Sequence, residues 1–251
     1  MLDHALIQRY IAAQPCRLLF VTMSGAHLYG FESADSDYDL RGCHILPARD
    51  LLGLDEPDET LETMDKSGPI EMDLVTHDVK KFVRLLLKNN GYVLEQIFSP
   101  IVLHAAPEFE ELKSLARRCI TRHHNHHFRN FAQNQWDAVS EGKRRTVKGL
   151  LYSYRPLLAG IHLMRTGEVE SNIVTLNKVF GLSHIADLVA AKRGGTEKGE
   201  LKDSDMAFHE KEFARLREEL ESARATSGLP DEPSARRELG DLLVRLRLAT
   251  L

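Results

Sequence analysis

The chain has 251 residues, 43% of them hydrophobic, and a formal net charge of −4. These values are typical of a globular protein with one large or two modest domains, and they show no global bias toward nucleic acid. No apolar run reaches the roughly 18 residues of a membrane span, and the N-terminus lacks a signal-peptide pattern. Three scattered cysteines argue against disulfides or a zinc site. We expect a cytoplasmic protein without a membrane partner; its oligomeric state stays open.

Acidic and basic residues are unevenly distributed along the chain. Asp and Glu concentrate in residues 32–78. The basic residues cluster further on, at Lys143, Arg144, Arg145, Lys148 and Arg155. A metal site together with an anion-binding surface suits a nucleotide ligand, although uneven charge is also common on surfaces without such a role.

The first part of the chain shows a mixture of helical and strand patterns. Residues 3–13 predict a short helix, and the apolar segment 17–23 predicts a buried strand. A second strand is expected over residues 38–46. The acidic segment 48–69 predicts a loop with a short helix, and residues 70–75 alternate as a third strand.

The rest of the chain is predominantly helical in pattern. Asp78 or Thr76 is expected to cap a helix, and from about residue 107 onward the apolar spacing is helical. The segment with the most regular period contains Pro156, where we expect a kink. Residues 192–200 predict a mobile loop.

The change of pattern near residue 100 indicates an α+β fold. We expect a mixed-sheet domain over residues 1–100 and an all-helical domain over residues 101–251.

A glycine turn followed by an Asp-x-Asp pair carries the first candidate chemistry. The first strand ends at Ser24 and Gly25, where a missing side chain lets a ligand approach the backbone. Asp37 and Asp39 follow. Residues two apart in a strand share a face, so their carboxylates would lie side by side and favour a cation between them.

A third carboxylate completes this set. Asp73 lies on the predicted third strand, and Glu71 shares its face as an alternative. Three carboxylates can hold the two ions of a two-metal phosphoryl transfer. We therefore predict that Asp37, Asp39 and Asp73 are catalytic and bind Mg²⁺ or Mn²⁺, with two ions expected; an ordinary acidic turn is the alternative.

A helix face in the second half carries the other candidate set. Lys148, Tyr152 and Arg155 lie at i, i+4 and i+7, with His162 two turns further on. The two cations can bind phosphates, and the tyrosine ring can stack on a base or ribose. A solvated polar face of an amphipathic helix is the alternative interpretation.

Other polar residues have open roles. His27 lies within the glycine segment and either contacts a phosphate or acceptor hydroxyl or packs internally. Arg41 shares the strand face of the Asp pair, where it neutralises the carboxylates or reaches the leaving phosphate. His123 and His127 are spaced to share a metal, but a packed or RNA-facing surface is favoured over zinc.

Two of these segments resemble a known superfamily. Residues 25–30 and 36–42 are similar to the polymerase-β-type nucleotidyltransferases, and more closely to their branch of stand-alone enzymes associated with RNA ligases. The likeness extends through Phe98-Ser99-Pro100 to the segment 160–168. It implies a mixed sheet with a helical C-terminal domain and metal-dependent transfer of a nucleotidyl group from an NTP. The implied acceptor is RNA, including tRNA under repair.

The glycine segment departs from the superfamily at one position. Ala26 follows Gly25, where the superfamily usually has a serine that contacts the triphosphate. We expect backbone groups of Ser24, Gly25, Ala26 and His27 to hold phosphates instead. The lost hydroxyl would weaken affinity by on the order of 1 kcal/mol. Two alternatives therefore stay open: transfer to a protein side chain (AMPylation), and nucleotide binding without turnover.

Overall fold

The structure, a computed structural model, describes residues 3–33, 36–66, 70–194 and 203–250. The chain forms two compact units, each built from more than one segment. The sheet unit comprises Met1–Gly25, Asp37–Cys119 and Glu232–Leu251. The helical unit comprises Ala26–Ser36 and Ile120–Asp231. The contiguous domains expected from the sequence stay a prediction.

The sheet unit contains a five-stranded mixed sheet, which confirms the predicted fold class. Its strands are β1 (Arg17–Met23), β2 (Tyr38–Ile45), β3 (Thr60–Asp65), β4 (Met72–Asp78) and β5 (Val102–Ala105). The spatial order is β3-β4-β2-β1-β5. β2 and β4 run parallel, whereas the other neighbouring pairs are antiparallel.

Helices cover both faces of this sheet. They are α1 (His4–Ala12), α3 (Ala48–Leu52), α4 (Val79–Leu87), α5 (Gly91–Ile97), α6 (Phe109–Arg117) and α12 (Arg236–Leu248). A short α2 (Gly25–Tyr29) starts after β1, and its residues after Gly25 belong to the helical unit. On one face, Ile7 of α1 packs in a core with Leu40 and Leu74. On the other, the Phe20 ring lies 5.3 Å from Phe82 and 4.9 Å from Phe109.

The two edge strands were not predicted. β3 falls in the segment expected to be loop and short helix, and its residues are all half-buried or exposed. β5 has only four residues, of which Leu103 alone is buried. An edge strand with a solvated face lacks the apolar run that identifies a buried strand. The hydrophobic pattern of the sequence therefore did not predict β3 or β5.

The helical unit is organised around one long helix. Its helices are α7 (His124–Ser140), α8 (Val147–Thr166), α9 (Ile173–Phe180), α10 (Ser183–Arg193) and α11 (Asp203–Ala225). α8 continues through Pro156 and packs against α7, α9, α10 and α11. A helical C-terminal region is therefore confirmed. This central position buries α8 on nearly every side, which decides where its polar residues lie.

Two further observations concern membrane-spanning helices and the loop predicted over residues 192–200. Among the described residues, no helix is both long enough and apolar enough to cross a membrane. Of the loop predicted over residues 192–200, Lys192 and Arg193 belong to α10, and residues 195–200 lie outside the described part of the chain.

Candidate active site

Gly25 lies directly against Asp39. Its φ of +58° is in the left-handed region, which residues with a side chain rarely adopt. A Cβ atom on Gly25 would lie 1.8 Å from Oδ2 of Asp39, far inside any allowed contact. The neighbouring Ser24 donates its backbone N–H to the carbonyl of Asp39 at 2.7 Å. The glycine turn and this carboxylate therefore occupy fixed positions relative to each other.

Asp39 and Asp73 are paired across the two parallel strands. They are register partners of β2 and β4, so their side chains leave the same face of the sheet. Nη2 of Arg41 donates to Oδ2 of Asp73 at 2.8 Å and to Oδ1 of Asp39 at 3.3 Å. Nη1 of Arg41 donates to the backbone carbonyls of Leu40 and Asp73. One guanidinium thus bridges both carboxylates, which are only partly exposed, and offsets one of their two negative charges.

Asp37 is placed differently from the other two carboxylates. It precedes the start of β2 and is exposed. In the described part of the chain, no three histidine, cysteine or acidic side chains lie close enough together to form a metal-binding group. The three predicted ligands are therefore not gathered into one group in this structure.

The donor chemistry of the pair nevertheless fits a divalent cation. One oxygen of each carboxylate lies within 3.3 Å of the same guanidinium nitrogen, Nη2 of Arg41. Mg²⁺ prefers carboxylate oxygens and is usually held by one or two of them together with substrate phosphates. Asp37, one residue outside the strand, is the third candidate ligand.

The residues after Gly25 lie in the helical unit. α2 begins at Gly25, and Ala26 accepts hydrogen bonds from the backbone N–H groups of Gly30 and Phe31. The ring Nε2 of His27 lies 3.4 Å from the carbonyl oxygen of Ser36. These contacts fix the turn, and they leave the predicted phosphate-binding roles of Ser24, Ala26 and His27 as predictions.

Lys148 and Tyr152 line a groove within the helical unit. This basic groove encloses about 430 Å³ and is lined by Gln135, Lys143, Arg144, Thr146, Lys148, Gly149 and Tyr152. Lys143, Arg144 and Lys148 are exposed. Of these lining residues, the sequence analysis assigned only Lys148 and Tyr152 to a site, although it had noted the charge of Lys143 and Arg144. Gln135 carried no signal because it lies on the preceding helix.

Arg155 does not share the accessible helix face expected for it. Only 1% of the residue is exposed, because α8 is covered by neighbours on this side as well. Its guanidinium lies 3.8 Å from the ring centre of Tyr29, a close cation–π contact. The Tyr29 ring in turn meets Tyr152 edge to face at 5.9 Å. Arg155 thus supports an aromatic cluster from inside.

The histidine cluster is largely packed. His124 is fully buried, with Nδ1 beside the backbone of Thr121. The His127 ring stacks on Phe131, with ring centres 6.3 Å apart. Burial lowers the pKa of both His124 and His127 from 6.5 to about 4, so both are neutral near neutral pH. His123 lies 3.5 Å from Asp231.

Comparison with known proteins gives the family. The sequence model of the RlaP family, described as the RNA repair pathway DNA polymerase beta family, matches residues 3–245 of this chain. The chain belongs to this family. Membership confirms the resemblance to polymerase-β-type nucleotidyltransferases.

Two curated relatives and one solved structure are similar to this chain. Uncharacterized protein MJ0002 of Methanocaldococcus jannaschii is 32% identical over 61% of the chain and 63% of its own length. Uncharacterized protein YcgL of Bacillus subtilis is 26% identical over 57% of the chain and 55% of its own length. The matches thus span less than two thirds of these relatives.

The solved structure is a nucleotidyltransferase-like protein from Exiguobacterium sibiricum. It is 13% identical, and the likeness covers 88% of this chain and 73% of that one, with a TM-score of 0.34. A score this low supports no conclusion about residues.

Proposed function

We propose that this protein transfers a nucleotidyl group from an NTP to the hydroxyl of an RNA end. The observation that carries the proposal is the pairing of Asp39 with Asp73 across parallel strands, with Arg41 between them and Gly25 pressed against Asp39. Together with family membership, this arrangement favours a carboxylate site for phosphoryl chemistry.

The reaction forms a bond between the acceptor oxygen and the α-phosphorus of the NTP. The bond from that phosphorus to the bridging oxygen breaks, and pyrophosphate leaves. We assign the acceptor proton to Asp73, whose carboxylate Arg41 holds in orientation through a 2.8 Å hydrogen bond. The backbone at Ser24 and Gly25 positions the phosphates, and Arg41 adds positive charge near them.

A divalent cation also belongs to the proposal. Asp37, Asp39 and Asp73 would hold Mg²⁺ or Mn²⁺, which supplies positive charge for the phosphates and makes an acceptor hydroxyl more acidic. In the helical unit, Lys148 and Tyr152 line the basic groove, and we propose that they bind polynucleotide rather than the NTP expected from the sequence. Arg155 acts as a positioning residue, because its guanidinium contacts the Tyr29 ring, which in turn meets Tyr152.

The test is transfer from labelled NTPs to total RNA, with and without EDTA. Changing both Asp37→Asn and Asp39→Asn should abolish incorporation. The matched control changes Asp55→Asn and Asp58→Asn, two exposed acidic residues of the same unit, and should leave incorporation intact. Unchanged transfer in the first variant would overturn the mechanism.

Two other outcomes would redirect the proposal. Label that enters cell protein and not RNA would establish a protein side chain as the acceptor. Retained nucleotide binding without pyrophosphate release would establish a binding module, which the replacement of the usual serine by Ala26 favours.

A further inference from the structure

The loop that carries Lys143 and Arg144 is fixed to the helical unit. Arg144 donates its backbone N–H to the carbonyl of Ala138 at 2.7 Å and accepts from the N–H of Thr146 at the same distance. A Cβ atom on Gly149 would lie 2.2 Å from the Arg144 carbonyl oxygen, so this glycine lets the loop lie directly on α8. The groove therefore has a defined shape.

Three cations and a held aromatic ring line this basic groove. Lys143 and Lys148 are exposed, with the former 2.7 Å from Glu141, and Arg144 reaches the Gln135 amide oxygen at 3.5 Å. Tyr152 is half-buried, and its ring is contacted by the rings of Tyr29 and Phe31 at 5.9 and 5.5 Å. Cations beside a fixed aromatic ring are the combination that binds single-stranded nucleic acid, through backbone phosphates and base stacking.

The groove suits phosphodiesters better than the triphosphate of a metal-bound NTP. No carboxylate lies among its described lining residues, so it offers no ligand to the metal that an NTP brings. The carboxylates that suit such a metal are those of the sheet unit. Each phosphodiester carries a single negative charge, which one Lys or Arg can match without a metal.

We propose that the basic groove binds the single-stranded acceptor, with Lys143, Arg144 and Lys148 on its phosphates and Tyr152 stacked on a base. This inference rests on the proposed function, because it names the place where that reaction's polynucleotide is held. Gln135 offers both a donor and an acceptor to a base edge.

The test measures binding alone, so that it does not depend on turnover. A fluorescent single-stranded RNA of about 12 nucleotides is titrated with full-length protein in EDTA without NTP, at several salt concentrations. Changing Lys143→Gln and Arg144→Gln together should weaken binding about tenfold at low salt. It should also lower the slope of log K against log salt by about 1.4, because each lost contact to a single strand removes about 0.7.

A matched control removes the same charge elsewhere. Lys80→Gln with Lys88→Gln, both exposed on or beside α4, should preserve affinity and slope. An equal loss in this control, or no loss in the groove variant, would overturn the proposal. Displacement of the RNA by Mg–NTP as readily as by unlabelled RNA would also overturn it, because the groove would then be the triphosphate site.

A separate binding measurement tests the stacking role of the Tyr152 ring. Tyr152→Leu should weaken RNA binding more than Tyr152→Phe does, while binding of polyphosphate, which has no bases, is preserved. Loss of polyphosphate binding in Tyr152→Leu would contradict a stacking role. If the double Asp variant loses transfer yet binds RNA normally, the groove stands independently of the catalytic assignment. Normal transfer in that variant would overturn the mechanism alone.

Discussion

The carboxylate site of the sheet unit and the basic groove of the helical unit are built in opposite ways. Asp39 and Asp73 are tied to Arg41, and Gly25 leaves no room beside Asp39. The groove presents exposed cations on a fixed backbone. A site that positions reacting atoms depends on close contacts, whereas a surface that collects a charged polymer depends on accessible charge. The first should be sensitive to single atoms, and the second to net charge.

The strongest test of this difference is one added methyl group at Gly25. Gly25→Ala must displace the Asp39 carboxylate or the turn, so we expect transfer to fall by roughly 10²–10³-fold. The measurement is initial transfer rate at saturating NTP. Gly240→Ala is the control in the same unit: it is exposed in α12 with open space around it and should stabilise the fold by about 0.5–1 kcal/mol. Wild-type activity in Gly25→Ala would show that the contact with Asp39 does not position it.

The next test, in the helical unit, compares a buried residue of α8 with an exposed residue of the basic groove. Arg155 is 1% exposed and stacked on Tyr29, whereas Lys148 is exposed on the same helix. Arg155→Met should lower the free energy of unfolding by about 2–3 kcal/mol, and Lys148→Met by less than about 0.5 kcal/mol. Urea denaturation checks both values. Equal, small effects would mean that Arg155 is not part of the packed interior.

This pair of residues also shows what the sequence could not reveal. The period of α8 predicted a helix and an apolar stripe correctly, but α9 and α10 cover it from further sides. Helical spacing places residues on a face, and only tertiary packing decides whether that face meets solvent. Arg155 and Lys148 therefore appeared equivalent in the sequence.

The sheet was more accessible to prediction at its centre than at its edges. β1 followed from an apolar run, and the alternation around Asp73 from a period of two. The parallel register that sets Asp39 beside Asp73 had no local signal, since it depends on a crossover between β2 and β4. Asp-x-Asp spacing indicated a joint role for Asp37 and Asp39. The structure places Asp39 beside Asp73, the predicted third carboxylate, whereas Asp37 lies just before β2 and its joint role stays a prediction.

A pH titration tests how far the helical unit depends on uncharged histidines. Burial lowers the pKa of His127 to about 4, below its unfolded value of 6.5. The unfolded chain therefore binds more protons in this window, so stability is present above pH 6.5 and is lost as pH falls toward 4. We expect His127 alone to account for about 2 kcal/mol of loss between pH 7 and pH 5.

The measurement compares unfolding free energies of wild type and His127→Phe over this range. The phenylalanine keeps a ring against Phe131 and has no proton to bind, so its profile should be flatter than that of the wild type. Parallel profiles would show that His127 is accessible to protons in the folded state.

The smallest expected effect addresses the cation between the carboxylates. Arg41→Ala removes the positive charge that Asp39 and Asp73 share, so Mn²⁺ should bind the free protein about fivefold more tightly, a gain on the order of 1 kcal/mol. Electron paramagnetic resonance of free Mn²⁺ measures this without turnover. The same variant should transfer more slowly, because Asp73 loses the hydrogen bond that orients it.

Arg84→Ala, which removes an exposed arginine of α4, is the control and should leave Mn²⁺ affinity unchanged. Unchanged affinity in Arg41→Ala would place the metal away from this pair and would weaken the distinction between a tightly interlocked site and an open, charged groove.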